Sequence, residues 1–317
     1  MTRFLKLSTI LLAILLAGCQ VNPDKKNSPD GASAKSDSIR TEVLEFSVAG
    51  EHAVDDSTLL RVAFIGDGEP KPCAEFPHTD AAVEQINTLM QTQPIDFVIG
   101  VGDVAHKGTE IQYEAASEVF RKLKAPFYPI MGNEEHGHSV ERYLHYAQQW
   151  NSDIKSPSYV INHDNLAFVC ASPDHGRDLD DSGARWILKQ VQRLAPKPVL
   201  LIVHGAQKGV YPENPDKGIS NELFIENVIP QPNLAAVISG DLHMDMERVN
   251  HSKKIEHVHY LHIPALERTK IPDKTNHTPM VRVMTIAKDG NVTVETYATG
   301  ENNPREELDY SFDLAFS

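Results

Sequence analysis

Residues 59–67 read LLRVAFIGD, a short apolar run that ends in a glycine and an aspartate. Such a run predicts a buried parallel strand that delivers a carboxylate at its carboxyl end. The same design recurs in residues 95–103, which read IDFVIGVGD, and variants follow at 127–133, 199–204 and 235–241. In open α/β sheets, ligands bind outside the carboxyl ends of the strands. The sequence therefore predicts a metal site at that edge of the sheet.

The first residues have the pattern of an export signal. Arg3 and Lys6 precede an apolar run over residues 7–16, and the segment closes on LAGC, whose cysteine is Cys19. An apolar run of about ten residues is too short to span a bilayer and is typical of a signal peptide. The ending resembles a bacterial lipobox, which implies that Cys19 is acylated and anchors the chain in a lipid bilayer. Gln20 implies the outer membrane, facing the periplasm; an ordinary secretory signal with an incidental cysteine is the alternative.

The composition changes after this segment. Residues 21–57 are rich in Ser, Lys and Asp, so they bury too little apolar surface to fold by themselves. We predict a signal peptide over 1–18, a flexible lipid-anchored linker over 19–57 and one domain over 58–317. A short strand over 43–48 is expected to dock on that domain.

Charge and cysteine content narrow the possible partners. Thirty basic against 44 acidic residues give a net charge of −14, which argues against nucleic acid as a partner because phosphate contacts dominate that affinity. A small phosphoester held by metal ions remains compatible with this charge. Cys73 and Cys170 either pair in an oxidising compartment or are two buried free thiols.

Between the strand ends, helical and extended patterns alternate. Amphipathic spacing predicts helices over 79–93, 109–124, 139–150 and 181–194. Apolar alternation predicts a hairpin of 159–161 with 166–170, one strand over 255–263 and a hairpin of 281–287 with 292–297. The fold class is therefore α/β, with two sheets in a sandwich flanked by helices.

The strand ends carry a series of motifs: DGE at 67–69, GD at 102–103, GNEEH at 132–136, VH at 203–204 and GDLH at 240–243. This series resembles the calcineurin-like metallophosphoesterases, whose pattern is Asp-x-His, Gly-Asp, Gly-Asn-His, an isolated His and Gly-His-x-His. The resemblance extends over nearly all of residues 59–297. It implies a two-sheet sandwich and a pair of bridged divalent ions at the carboxyl ends of the strands.

Five positions match the ligands of that family: Asp67, Asp103, Asn133, His204 and His243. The resemblance implies that Asp103 bridges the two ions. It also implies that Asp67 and His243 hold the first ion, and that Asn133 and His204 hold the second.

Three family histidines are replaced. Glu69 and Asp241 stand at ligand positions, where a carboxylate still ligates and favours Mn²⁺ or Mg²⁺, with Fe or Zn also able to bind. Glu134 replaces the histidine that assists the transition state. Glu134 could donate a proton only if burial raised its pKa, which nearby cations would oppose. His136, two residues later, is the alternative proton donor.

Further candidates lie in the loops. Lys107 stands where some family members have a phosphate-binding arginine, and a solvated loop lysine is the alternative interpretation. Arg177 and His175 follow the strand that contains Cys170 and are candidates for substrate contact.

Together these patterns predict an enzyme, a metal-dependent hydrolase of a small phosphomonoester or phosphodiester. The alternative is a protein of the same fold that has lost catalysis and serves as an envelope binding or scaffold protein. A third, intermediate possibility is a hydrolase with a single metal ion held by Asp67, Asp103 and His243. Replacement of the family histidines by residues that can still ligate favours the enzyme, whereas loss of the Gly-Asn-His histidine favours the rival.

Overall fold

The computed structural model describes residues 43–50, 52, 56–274 and 278–316. The predicted signal peptide over 1–18, the predicted lipidation site Cys19 and most of the predicted linker lie outside the described residues. Over the described ranges, every helix is too short or too polar to cross a bilayer.

The described part of the chain contains thirteen strands and four α-helices. The strands are β1 (Glu45–Ser47), β2 (Thr58–Ile65), β3 (Phe97–Gly100), β4 (Phe127–Pro129), β5 (Tyr159–Asn162), β6 (Ala167–Ala171), β7 (Val199–Val203), β8 (Leu234–Ser239), β9 (Ser252–Ile255), β10 (Val258–His262), β11 (Met280–Ala287), β12 (Asn291–Ala298) and β13 (Tyr310–Asp313). The helices are α1 (Pro77–Leu89), α2 (Glu110–Phe120), α3 (Val140–Trp150) and α4 (Asp181–Leu194).

The strands form two sheets. One has seven strands in the order β1-β5-β6-β7-β8-β10-β9, and the other has six in the order β13-β12-β11-β2-β3-β4. Within the sheets, β2, β3 and β4 run parallel, as do β6, β7, β8 and β10. The predicted sandwich of two sheets flanked by helices is confirmed.

Side-chain alternation along the strands produces the layers. Leu60 and Val62 of β2 pack into a core shared with the inner face of the other sheet, while Ala63 points outward to the layer that contains α1 and α2. On the seven-stranded sheet, Ile202 faces the shared core, and Leu201 packs on the outer side with α4. Because successive side chains point to opposite faces, strands that are apolar throughout are covered on both faces.

The four predicted helices and the two predicted hairpins are present, and Ser139 caps α3 by accepting a hydrogen bond from the Arg142 N–H. The strand predicted over 255–263 is present as β10, but it begins at Val258 because Glu256, whose φ is 54°, lies in the turn that joins β10 to its antiparallel neighbour β9. β1 lies within the predicted linker and pairs parallel to β5, so the folded unit begins before residue 58. Cys170 is a free and fully buried thiol, so it forms no disulfide with Cys73.

This topology brings five carboxyl strand ends, those of β2, β3, β4, β7 and β8, to one edge of the sandwich. Backbone hydrogen bonds join the chain segments there, from Asp67 N to Gly102 O (3.2 Å) and from Gly240 N to His204 O (2.8 Å). The Asp241 N–H donates to the Asp67 carboxylate (3.0 Å), which ties the end of β8 in one sheet to the end of β2 in the other.

Candidate metal centre

The loops after these strands hold their side chains through unusual backbone conformations. Asp67, Asp103, Asp241 and His243 have φ values of 45°, 54°, 68° and 50°. The left-handed region costs a residue with a Cβ about 1 kcal/mol or more, and such strain persists where surrounding contacts impose it, often at functional sites. Four strained residues at one edge therefore mark that edge as functional.

Glycines allow the loops to approach one another closely. A Cβ on Gly132 would lie 2.3 Å from Asp103 Oδ1, and one on Gly240 would lie 2.7 Å from Asp67 Oδ2. Both distances are far below van der Waals contact. The glycine that precedes Asn133 and the one that precedes Asp241 are therefore required by packing around the two aspartates.

Four of the predicted metal ligands converge: Asp67, Glu69, Asp103 and His243, called here the first ligand group. All four are buried, and one ligand atom from each lies within 4.8 Å of the others. His243 Nε2 is 3.7 Å from both Asp67 Oδ1 and Glu69 Oε1. In the described protein, His243 Nε2 and Glu69 Oε2 are buried without a hydrogen-bond partner. Three carboxylates and an imidazole with two unpaired ligand atoms fit a divalent cation.

Each of the two predicted histidine ligands forms a hydrogen bond from its Nδ1 to a backbone carbonyl. His243 Nδ1 donates to the Arg268 carbonyl (3.1 Å), and His204 Nδ1 donates to the Val101 carbonyl (2.9 Å). For His243, such a bond turns the Nε2 lone pair toward the ligand site. Burial would lower the pKa of His204, but Asp103 and Asp241 outweigh it and raise that pKa well above its usual range, and His204 Nε2 faces Asn133 Oδ1 at 3.4 Å. Burial, with Lys270 and Arg268 nearby, lowers the pKa of His243 well below its usual range. The neutral, ligating form of His243 is therefore the stable one.

The carboxylates of the first ligand group repel one another. Burial, reinforced by Asp103 and Glu69, raises the pKa of Asp67 well above its usual range. Burial and Asp103 also raise the pKa of Glu69 to about 7, although Arg268 and Lys71 oppose this. Both shifts express the free-energy cost of buried anions that lack sufficient positive charge, and a bound cation would relieve that cost.

The other three predicted ligands, Asn133, His204 and Asp241, form the second ligand group. His204 Nε2 lies 3.4 Å from Asn133 Oδ1 and 3.7 Å from Asp241 Oδ1. Arg177 enters this group: its Nε donates to Asp241 Oδ2 (2.8 Å), and its Nη2 donates to Asn133 Oδ1 (2.9 Å) and Asp241 Oδ1 (3.2 Å). Arg177 thus bonds to two members of the second group at once.

Asp103 belongs to both groups. It is one of the four converging ligands, and its Oδ1 lies 3.4 Å from His204 Nε2. The Glu134 N–H donates to the same oxygen (2.8 Å) and fixes its position. This placement agrees with the bridging position that the family resemblance implies for Asp103.

Two further cations lie beside the first ligand group. Arg268 Nη2 donates to Glu69 Oε1 (2.8 Å), and Lys71 Nζ lies 3.4 Å from the same oxygen. Lys71 also forms an ion pair with Glu134 Oε1 (2.6 Å). The site therefore has two cations beside its carboxylates, although the chain as a whole is acidic, and each is paired with a glutamate.

The surroundings of Glu134 do not suit the predicted proton donor. Its carboxylate accepts hydrogen bonds from the Lys71 ammonium and from the Lys107 N–H (3.0 Å). It also forms a hydrogen bond with His106 Nδ1 (2.7 Å). Burial alone would raise the pKa of Glu134, but these partners outweigh it and lower the pKa to about 2. Glu134 is therefore ionised near neutral pH, and its prediction as an acid loses its physical basis.

The other two predicted functional residues lie close to the site. His136 Nε2 bonds to the Pro173 carbonyl (3.0 Å), and burial lowers its pKa, so it is a neutral ring held by a backbone acceptor. Lys107 is exposed in a turn with φ of 55° and contacts Glu134 through its backbone. Roles for His136 as proton donor and Lys107 as substrate contact remain predictions.

Glu135 is a site residue to which sequence reasoning assigned no role. Its buried carboxylate accepts N–H groups from Asp103 (3.1 Å), Val104 (2.8 Å), Ala105 (2.8 Å) and Gly132 (2.6 Å). The side chain thereby joins the loop after β3 to the loop after β4. A second acidic residue directly after Glu134 was the only sequence signal.

Comparison with known proteins places this geometry in a family. The calcineurin-like phosphoesterase family matches residues 60–245, more than half of the chain. A curated relative is a probable glycerophosphodiester phosphodiesterase, GpdQ, from Arcobacter nitrofigilis. It is 28% identical over 113 residues, which are 34% of this chain and 41% of the relative. The matched part thus spans less than half of that relative's length.

Solved structures show the same fold at low sequence identity. A dimetal phosphatase from Danio rerio has a TM-score of 0.60 and 11% identity, and the match covers 81% of this chain and 100% of that one. Purple acid phosphatase PPD1 from yellow lupin, Lupinus luteus, has a TM-score of 0.58 and 12% identity, with 81% and 54% covered. These likenesses show the fold, and the family match over residues 60–245 identifies the chain as a member of the calcineurin-like phosphoesterase family.

Proposed function

We propose that this protein is a metal-dependent phosphoesterase whose essential cation lies in the first ligand group. The observation that carries the proposal is the convergence of Asp67, Glu69, Asp103 and His243 with two unpaired buried ligand atoms. A divalent cation bound there supplies Lewis acidity toward a phosphoryl oxygen and lowers the pKa of a nearby water. We favour Mn²⁺ or Mg²⁺, because three of the four donors are carboxylates.

The protein's own groups would bind and orient the phosphoester. Arg177 offers its Nη1 to a phosphoryl oxygen, since its Nε and Nη2 are bonded to Asp241 and Asn133. Arg268 and Lys71 add positive charge on the opposite side of the site. Because Glu134 is ionised and paired, leaving groups that need no protonation, such as aryl oxides, should react faster than alkoxides.

A phosphodiester is the first substrate class to try. The relative whose name specifies a substrate is a probable glycerophosphodiester phosphodiesterase. A diester carries less negative charge than a monoester, which suits a site already rich in carboxylates. We therefore propose a small diester as the preferred substrate and a monoester as the weaker one.

The test uses the full-length chain in detergent, loaded with Mn²⁺, and compares bis(4-nitrophenyl) phosphate with 4-nitrophenyl phosphate. Wild type should hydrolyse the diester, and Asp103→Asn should lose at least about a hundredfold in kcat/KM because both ligand groups use this carboxylate. Asp289→Asn, in the turn between β11 and β12, is the control for an unrelated aspartate. Equal turnover by wild type and Asp103→Asn would refute the proposal.

A second candidate function is an envelope binding protein of this fold without catalysis. The observation that favours it is the low pKa of Glu134, since no acid stands where the family motif has its histidine. Under this function, wild type would bind Mn²⁺ but hydrolyse neither ester. Calorimetry with a non-hydrolysable phosphonate diester would then separate a binding site from a vestigial one.

We also propose that the protein is anchored in the bacterial envelope, in the outer membrane facing the periplasm, by acylation at Cys19. The support is the sequence pattern before Cys19 and the polar stretch that follows it. Metabolic labelling with a palmitate analogue should mark the wild type and not Cys19→Ser, whose detergent-phase partitioning should also fall. Labelling of both proteins would contradict the proposal.

A further inference from the structure

Arg177 occupies the part of the site where the family resemblance implies a second metal ion. Its guanidinium bonds to Asn133 and to both oxygens of Asp241, two of the three residues in the second ligand group. Asn133 is one of the two residues that the resemblance assigns to the second ion. We propose that Arg177 is a built-in cation that replaces the second metal ion, so that the centre holds one divalent ion and one guanidinium.

Hydrogen bonds fix the backbone of the loop that carries Arg177. The turn over 174–178 is closed by hydrogen bonds from Asp174 N to Asp178 O (3.0 Å) and from Asp178 N to His175 O (2.9 Å). The Asp178 side chain accepts from Leu179 N (2.9 Å), Ser220 N (2.9 Å) and Ser220 Oγ. Because both the turn and its base are fixed, little conformational entropy is lost when Arg177 is held in the site.

The residue opposite Arg177 has the matching charge. Asp241 is buried, and its two carboxylate oxygens accept hydrogen bonds from Arg177 Nε (2.8 Å) and Nη2 (3.2 Å). The resemblance implies histidine at position 241, and an imidazole there would offer Arg177 no carboxylate for a two-point ion pair. Asp241 and Arg177 therefore act as a pair, and the aspartate that stands in place of the family's histidine serves to hold Arg177.

Charge counting also favours one ion. Asp67, Glu69, Asp103 and Asp241 are the four buried carboxylates at ligand positions, whereas the buried Glu135 accepts four backbone N–H groups. One divalent ion together with Arg177 and Arg268, which contact Asp241 and Glu69, balances the charge of these four, and the nearby Lys71 is paired with Glu134. A second divalent ion would leave the centre with excess positive charge unless Arg177 moved out. Such burial of unbalanced charge is costly.

The proposal assigns Arg177 a role toward the substrate as well. Its side chain is 36% exposed, and within the described protein its Nη1 takes part in no hydrogen bond. The bonded edge of the guanidinium thus faces Asp241 and Asn133, while Nη1 is left for a phosphoryl oxygen. The proposed contact of Arg177 with substrate rests on the proposed phosphoesterase function. The proposed number of metal ions does not depend on that function.

The experiment measures Mn²⁺ alone, without substrate. Full-length wild type, Arg177→Met, Arg177→Lys and the control Arg185→Met, an exposed arginine on α4, are loaded with Mn²⁺ and dialysed. Bound ions are counted by plasma mass spectrometry, and electron paramagnetic resonance distinguishes an isolated Mn²⁺ from an exchange-coupled pair. Circular dichroism melts show that each variant is folded.

We expect one isolated Mn²⁺ per chain in wild type, Arg177→Lys and Arg185→Met. Arg177→Met should bind a second ion at least about tenfold more tightly than wild type does and should give the coupled spectrum. A coupled pair in wild type, or a single isolated ion in folded Arg177→Met, would overturn the proposal. Wild type with no bound ion would refute both this proposal and the proposed metal-dependent function, whereas a coupled pair with diester hydrolysis would refute this proposal alone.

Discussion

The two ligand groups lie at the same edge of the sandwich, yet their polar atoms are satisfied differently. In the first group, His243 Nε2 and Glu69 Oε2 are buried and have no hydrogen-bond partner among the described residues. In the second, Asn133 Oδ1 and both Asp241 oxygens accept hydrogen bonds from Arg177. An unpaired buried polar atom costs about 1–3 kcal/mol, so the first group gains more from a cation than the second.

This difference shows that ligand-capable residues do not by themselves make a metal site. His204, like His243, is buried and donates from Nδ1 to a backbone carbonyl, and Asp241 is as buried as Asp67. What separates the two groups is the loop after β6, whose Arg177 bonds to two members of the second group, whereas Arg268 bonds to one member of the first. Under the one-ion proposal, the protein's own cations decide where a divalent ion is held.

The sharpest test of the comparison replaces one histidine in each group. Because His243 is one of four converging ligands, His243→Ala should weaken Mn²⁺ binding by about 3–4 kcal/mol, roughly a thousandfold. His204→Ala should weaken it by less than about tenfold, since Arg177 and not the ion engages that group. Calorimetric titration of metal-free protein measures both. Similar losses in the two variants would mean that the groups share the ion equally.

A second test concerns the residue that joins the two groups. Glu135→Ala should lower the free energy of unfolding by about 3 kcal/mol, because four buried N–H groups around Asp103 and Gly132 lose their acceptor. The matched variant Glu134→Ala should cost about 1 kcal/mol, since that carboxylate is partly exposed. Urea unfolding compares them. Equal values would show that Glu135 does not organise the loops.

Much of the site could be predicted from sequence because its signals are local. An apolar run that ends in Gly-Asp encodes both the strand and the residue at its carboxyl end, and parallel strands bring those ends together. Asp67, Asp103 and His243 were found in this way, and the structure places them within ligand distance of one another. The family and the two-sheet fold followed from the order of the motifs.

The parts that sequence reasoning missed depend on contacts between loops. Arg177 was only a candidate for substrate contact, because nothing in the sequence around residue 177 indicates that its loop reaches Asn133 and Asp241. The parallel pairing of β6 with β7, which brings the loop after β6 to the edge that holds His204, is visible only in the structure. The strand over 255–263 was predicted to begin too early because Glu256 adopts its left-handed turn without the usual Gly or Asn.

A smaller effect is expected from acid, and it should fall on the seven-stranded sheet, whose strands precede His204 and Asp241. Next to β8, burial and Arg282 lower the pKa of His251 to about 4, and burial with His251 lowers that of His262 to about 3. The unfolded chain takes up these protons near pH 6.5, whereas the folded protein does not. Stability is therefore full above about pH 6.5 and lost as the pH falls, by about 2 kcal/mol per histidine between pH 7 and 5.

His251→Gln removes one of these groups and should reduce the acid-induced loss by up to about 2 kcal/mol. Urea unfolding at pH 7 and pH 5 gives the difference for wild type and variant. The exposed His138, replaced by glutamine, is the matched control and should leave the difference unchanged. An unaltered loss in His251→Gln would show that His251 takes up its proton in the folded state.

The smallest predicted effect concerns Arg268, which contacts the first group from its rim. Its Nη2 bonds to Glu69 Oε1 (2.8 Å), and its carbonyl orients His243. Arg268→Met keeps the carbonyl but frees the Glu69 oxygen, so Mn²⁺ should bind about 1 kcal/mol more tightly, roughly fivefold, because the side chain is partly exposed. The control Arg121→Met, which replaces an exposed arginine directly after α2, should leave the affinity for Mn²⁺ unchanged. Weaker binding in Arg268→Met would mean that this arginine positions Glu69 for the ion, whereas Arg177 competes with one. The two guanidiniums would then differ in function although each contacts a buried carboxylate.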